Sequence, residues 1–218
     1  YGDIDITVIR ETKKVMIPCG IPYIFGTLRS TDKNMIPDAM LTDANINLII
    51  DTVTSINREK KFATTKGNGE IGYKKLILAT GSLPLVPAFI PGHELENVFP
   101  VIKDEDYLNS LMERLNYASN VVVIGGGFIG VEFAEQISLL GKKVTLVELA
   151  EACLWQAFDK KFTDDLEALM RKNGINLMTG SVVKKISGSK SVEAVELESG
   201  EIIPADLVIL GLGVKPNG

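Results

Sequence analysis

The sequence is poor in cysteine, poor in aromatic residues and free of long apolar runs. Only Cys19 and Cys153 are cysteines. A secreted disulfide framework uses more, so both thiols read as free and the expected setting is cytoplasmic. No stretch of 18 apolar residues occurs, which argues against a transmembrane helix, and no charged-then-apolar leader is recognisable. Long tracts of one charge are absent, and so are internal repeats and low-complexity segments. The net charge of −5 argues against nucleic acid or an anionic membrane as the main partner. No metal site is expected.

What is present is a chain of 218 residues, 45% apolar, enough for one large domain or two small ones without covalent staples. It opens on Tyr1 rather than Met, and the run Ile4-Asp5-Ile6-Thr7-Val8-Ile9 already alternates like a strand. It closes on the turn-like Val214-Lys215-Pro216-Asn217-Gly218. Both ends are read as interruptions of a longer protein.

Between them the pattern changes style near residue 120. Residues 46–50, 52–56, 62–65 and 75–78 read as strands, with Lys66-Gly67-Asn68-Gly69 as a hairpin turn. Residues 31–44 suggest short capped helical turns. Pro84, Pro87, Pro91 and Pro100 mark 81–100 as a linker or crossover. Residues 104–118 carry Leu108, Leu111, Met112 and Leu115 at helical spacing. Buried strands are expected at 121–124, 144–147 and 207–210, helices at 131–140 and 159–172, and a three-stranded meander over 182–203. The fold class is therefore α/β.

The run Val121-Val122-Val123-Ile124-Gly125-Gly126-Gly127-Phe128-Ile129-Gly130 holds a G-x-G-x-x-G pattern between a buried strand and a helix. Glu148 ends the next strand, 23 positions after Gly125. Gly125 suits the tight turn. Gly127 has no side chain to keep a pyrophosphate away. Gly130 lets the helix pack close to the sheet. The helix N-terminus offers free N–H groups to phosphate. Glu148 can accept hydrogen bonds from ribose hydroxyls and would repel a 2′-phosphate, and no Arg occupies 149–154. The expected dinucleotide is NAD(H).

The second feature is Ile17-Pro18-Cys19-Gly20-Ile21-Pro22-Tyr23-Ile24. Free cysteines are usually buried and inert. Here the flanking glycine and prolines suit a bent, firmly held backbone. A helix beginning near Pro22 would lay its positive end beside the thiol. Cys153 reads as a packing residue.

These residues resemble the pyridine nucleotide-disulfide oxidoreductases, in the single-cysteine branch of NADH oxidases, NADH peroxidases and coenzyme A-disulfide reductases. Four motifs carry the resemblance in family order. They are Cys19-Gly20-Ile21-Pro22-Tyr23; Leu76-Ile77-Leu78-Ala79-Thr80-Gly81; Gly125 to Gly130 followed by Val131-Glu132; and Gly211-Leu212-Gly213-Val214-Lys215-Pro216-Asn217.

The resemblance implies a partial FAD-domain segment at 1–100, followed by a complete Rossmann-like NAD-binding domain with a β meander at 101–218. It implies Cys19 as the catalytic redox cysteine facing a flavin. Dithiol relatives often carry a second cysteine five positions on, where this chain has Ile24, so Cys19 would work alone. Ala79, Thr80 and Gly81 would line the FAD domain where it crosses to the NAD domain. Phe128 and Ile129 would flank the dinucleotide, with Phe128 gating the nicotinamide pocket, Glu132 holding its nicotinamide end and Gly213 closing it. Hydride would pass from NADH to flavin, then to Cys19 and a small-molecule or disulfide acceptor such as oxygen, peroxide or a CoA disulfide. The whole protein would be a homodimer.

Some family parts fall outside these 218 residues: the FAD glycine turn, the Gly-Asp motif and the dimerisation domain. FAD is therefore expected on the full-length protein and poorly held by this stretch. The position at the end of the opening strand, where relatives usually have an acid that binds the FAD ribose, is Arg10 or Glu11, and the usual Ser-Phe-x-Asn run before the cysteine differs. Two alternatives stand beside the main reading. One is an NAD-binding module without turnover. The other is a ferredoxin- or rubredoxin-reductase-like flavoprotein in which Cys19 has no thiol role.

Overall fold

Four consecutive β-branched residues, Val121 to Ile124, have no polar face to show solvent, so a strand made of them must be covered on both sides. In the computed structural model, which describes residues 4–217, the strand Asn120–Ile124 lies at the centre of a five-stranded parallel sheet. Lys143–Val147 and then Asn176–Met178 flank it on one side, with Val122 opposite Thr145. Leu207–Leu210 and then Val98–Pro100 flank it on the other, with Val122 opposite Val208.

Parallel neighbours need crossovers. Helix Phe128–Ser138 joins the first pair and helix Lys160–Lys172 the second. Helix Glu105–Tyr117 precedes the central strand. Asp104 caps it by accepting from the Tyr107 N–H at 2.9 Å, and Leu108, Leu111 and Leu115 are its buried stripe. Side chains alternate along the central strand. Val122 and Ile124 join Val195, Leu197, Ile203, Val208 and Leu210 in a core under the antiparallel meander Val183–Ser187, Ala194–Leu197 and Ile202–Pro204. The α/β class and the meander agree with the reading of the sequence.

Residues 18–34 belong to this same unit with Gly81–Gly218. So does a two-stranded antiparallel ladder that pairs Ser82–Pro84 with Val214–Pro216.

A second unit contains residues 4–17 and Met35–Thr80. Thr7–Arg10 pairs in parallel with Asn47–Ile50. Val53–Asn57, Phe62–Thr65 and Gly69–Gly72 form an antiparallel sheet. The expected hairpin turn at Lys66–Gly69 is present, and Asp51 organises it. Its carboxylate accepts from Gly67 N–H at 2.9 Å, Asn68 N–H at 3.0 Å and Asn68 Nδ2 at 2.6 Å. These bonds, the Asn68 side chain first, hold the Asp51 carboxyl far below its ordinary range.

Two local expectations are corrected. Residues 75–78 form no strand: they have no ladder partner among the described residues, and Ile77 is 88% exposed. A strand exists through its partner, and an apolar run without one makes no ladder. The helix expected to begin near Pro22 is present only as one wide turn. The segment makes a short turn at Pro18–Gly20 and a single wide turn at Ile24–Leu28, ended by Arg29 in the left-handed region at φ 56°. One turn cannot supply the dipole of a long helix.

Candidate functional site: the glycine turn and the Cys19 segment

At the C-terminal end of the central strand, three glycine backbones press together. A Cβ on Gly130 would lie 1.8 Å from the Gly125 carbonyl oxygen, and one on Gly125 2.6 Å from the Gly211 carbonyl oxygen. Gly125 also has φ 107°, which L side chains avoid. The third and fourth sequence motifs therefore meet here, 86 residues apart by number, at 125 and 211. The Gly211 N–H donates to the Ile124 carbonyl at 2.8 Å and fixes that meeting.

Gly127 is different. It is exposed, and a Cβ there would meet nothing within 4 Å. It caps the helix Phe128–Ser138 without any side-chain hydrogen bond. The exposed N-terminus of this helix offers orphan N–H groups to open space. This cradle fits a pyrophosphate.

Glu148 closes the cradle from the next strand. Its carboxylate accepts from the Gly126 N–H and, through its other oxygen, from the Ala150 N–H at 2.7 Å. An ionised carboxylate has about four acceptor positions, so two remain for ribose hydroxyls. The loop after Glu148 folds back on the turn, with the Leu154 N–H donating to the Gly126 carbonyl at 2.9 Å. Behind Gly126 stands the Cys153 sulfur, 3.0 Å from where a Cβ would be. Cys153 is fully buried. Burial, and then Glu167 and Glu148, push its thiol up to about 12.

Phe128 is 54% exposed, and its ring packs edge-on to Phe158 at 6.0 Å. Phe162 continues the cluster at 6.4 Å from Phe158. Ile129 is partly buried. Glu132 lies one turn further along the helix. Burial, and then the neighbouring Glu135, raise its carboxyl above the ordinary range.

Gly213, at φ 92°, lies just before the ladder strand Val214–Pro216. Its carbonyl accepts from the Leu85 N–H at 3.0 Å, and the Gly81 carbonyl accepts from the Asn217 N–H at 3.0 Å. The antiparallel ladder thus sets Gly81 at one of its ends, opposite Asn217, and Gly213 at the other, opposite Leu85. Ala79 and Thr80 are exposed and fall in the other unit.

Cys19 is exposed at the middle of the Pro18–Gly20 turn. Ile21, Ile24 and Phe25 anchor the segment by burial. Phe25 packs on Phe133 of the helix Phe128–Ser138, ring centroids 5.3 Å apart. The reading of the sequence left out Gly126, Gln136, Phe158 and Phe162. Only Gly126 carried a signal, as the middle of three glycines.

The parallel sheet, the glycine turn and the acid after the second strand define a dinucleotide-binding α/β protein. Residues 2–218 match the family described as pyridine nucleotide-disulphide oxidoreductase, and the chain belongs to it. It is 38% identical over 221 residues to the NAD(P)H coenzyme A polysulfide/persulfide reductase of Pyrococcus horikoshii, covering 98% of this chain and 48% of that protein. It is 34% identical over 226 residues to an NADH oxidase of Methanocaldococcus jannaschii, covering 99% of this chain and 50% of that protein. Among solved structures, a ferredoxin reductase from Rhodopseudomonas palustris superposes with a TM-score of 0.87 at 29% identity, over 99% of this chain and 54% of that one. The chain spans about half the length of the curated relatives it matches.

Proposed function

We propose that this chain is the NADH-delivering and thiol-bearing part of a flavin-dependent oxidoreductase. One observation carries the reading. The helix that opens at Gly127 also packs, through Phe133, on the segment that presents Cys19 to solvent. The dinucleotide cradle opens one end of a helix on which the segment carrying the exposed thiol also rests. The ordered family motifs and the relatives' names support it.

In this reading, residues 101–218 bind NAD(H) and 1–100 contribute to an FAD domain. Gly125, Gly127, Ile129 and Gly130 hold the pyrophosphate against the helix N-terminus. Glu148 takes the adenosine ribose and disfavours a 2′-phosphate. Phe128 covers the nicotinamide, Glu132 orients its far end and Gly213 closes the pocket. Ala79, Thr80 and Gly81 face the flavin. FAD, when bound by the whole protein, supplies the two-electron relay between nicotinamide and thiol. The Cys19 thiolate attacks the acceptor, displacing a thiolate from a disulfide to form a mixed disulfide, or hydroxide from peroxide to form a sulfenic acid. The electron pair from NADH, with two protons, then cleaves that S–S or S–O bond, releasing the second thiol or water and restoring the Cys19 thiol. The whole protein works as a homodimer in the cytoplasm. No described helix is long and apolar enough to cross a membrane.

The test is NADH consumption by the whole protein with oxygen, peroxide, CoA disulfide and polysulfide in turn, repeated with Cys19→Ser. Disulfide or polysulfide turnover should vanish in the variant. Full turnover in Cys19→Ser would sink the thiol role and favour the ferredoxin-reductase-like alternative, in keeping with the Rhodopseudomonas palustris likeness.

A further inference from the structure

Gln136 sits on the covered side of the helix Phe128–Ser138 with 2% of its surface exposed. A buried amide is unfavourable unless its polar atoms are paired. Both are. Its Oε1 accepts from Thr27 Oγ1 at 2.8 Å, and its Nε2 donates to a Glu135 carboxylate oxygen. Thr27 lies 109 positions earlier, in the segment that carries Cys19.

The backbone repeats the contact. Gly26 lies so close to Gln136 that a Cβ there would fall 2.4 Å from the Gln136 carbonyl oxygen and 2.7 Å from its Oε1. Phe25 on Phe133 completes the seam. Apolar contacts alone are not directional and would tolerate a small slip of the segment along the helix. The Thr27–Gln136 bond would not, because a slip leaves a buried amide oxygen unpaired. At the other end, Gly20 is held against Asn34, whose Oδ1 would lie 1.9 Å from an added Cβ. Thr31 Oγ1 donates to Asn109 Oδ1 at 3.1 Å. The Cys19 turn is thus clamped on both sides. Glu132 is four residues before Gln136, so it shares that helix face one turn nearer to Gly127.

We propose that Gln136, paired with Thr27, is a positioning residue that fixes the register of the Cys19 turn against the nicotinamide-bearing helix. This rests on the reading of Cys19 as the redox thiol. Gln136 touches no reacting atom. It acts through Thr27 and the Gly26 seat on the turn Pro18–Gly20. A glutamine that merely fills space would be replaceable by leucine without any effect on Cys19.

The test compares Thr27→Val, Thr27→Ser and the double variant Thr27→Val/Gln136→Leu. The double change removes both partners of the Thr27–Gln136 bond; the Glu135 carboxylate also loses its Gln136 donor, but it is half-buried and can turn to water, so folding is preserved. The readouts are the rate of Cys19 alkylation by iodoacetamide, followed by mass spectrometry, and the NAD+ dissociation constant. Alkylation should change at least about threefold in Thr27→Val and in the double variant, as local opening frees the turn. Thr27→Ser should keep the original rate, and NAD+ affinity should stay within about twofold in all three. In the whole protein, kcat with the acceptor should fall while KM for NADH holds. Unchanged alkylation in both valine variants, or the same change in Thr27→Ser, overturns the proposal. Alkylation reports register whether or not Cys19→Ser abolishes turnover, so the two readings fail separately.

Discussion

The Gly126 amide donates to the Glu148 carboxylate, so the glycine turn and the acid that ends the next strand are one piece. The acid is held in place before any ligand arrives. Changing Glu148→Gln keeps an acceptor for one of the two backbone amides but removes the charge that the proposed function turns toward the ribose. The preference for NADH over NADPH that this role implies should narrow by about tenfold or more, mostly through tighter NADPH binding. Binding of each nucleotide, followed by fluorescence of Trp155 on the adjoining loop, measures it. An unaltered preference would remove Glu148 from the cofactor reading.

Two neighbouring glycines should respond oppositely to alanine. At Gly130 the new methyl runs into the Gly125 carbonyl, and backbone cannot step aside. Gly130→Ala should lose about 1–3 kcal/mol or more in urea unfolding. At Gly127 the methyl meets open space and the backbone angles suit alanine. Gly127→Ala should unfold within about 0.5 kcal/mol of the parent yet bind NAD+ at least about tenfold more weakly, because the methyl occupies the pyrophosphate's approach.

The two thiols should separate cleanly. Cys19 is exposed, while Cys153 is buried with its thiol pushed up to about 12. At pH 8, native protein treated with maleimide should carry one adduct, on Cys19, and take the second only in denaturant. An adduct on native Cys153 would mean that the loop over Gly126 opens readily.

Glu132 gives a dependence on pH. Burial, and then Glu135, raise its carboxyl above the ordinary glutamate range, so the folded state holds its proton more tightly than the unfolded state does. Folded protein then binds more protons through the interval above pH 4.5, and stability falls as pH rises across it. Glu132→Gln abolishes that loss. Its Tm should exceed the parent's by roughly 1–3 °C at pH 7 and match it near pH 4, by calorimetry. A Tm gap that is the same at both pH values would contradict the assignment.

The sequence made the centre of the molecule readable and its edges obscure. The strand Leu207–Leu210 matches its expected bounds because four apolar residues buried on both faces leave no choice of register. The helix Glu105–Tyr117 announced itself through its leucine stripe. Val98–Pro100 went unread: it is three residues long, ends in proline and exists only as an edge against Leu207–Leu210. Asn176–Met178 is equally short, and the ladder of Ser82–Pro84 with Val214–Pro216 needs partners 130 residues apart. At the site, the glycine turn and Glu148 were legible because their spacing is local. Gln136 was not. One glutamine on a helix looks like surface, and only Thr27 across the fold shows otherwise.

That ladder has an architectural corollary. The chain departs along Ser82–Pro84 and comes back along Val214–Pro216, with Ser82 opposite Pro216. The residues between are closed at their base by a zipped stalk whose two stems stand about 5 Å apart, and residues 18–34 dock on them as well. A body attached in this way imposes almost no span on its host. Moved into a surface hairpin of another protein as a cassette, it would carry its own closure but would need residues 18–34 supplied with it, because Phe25 and Thr27 cover Phe133 and Gln136.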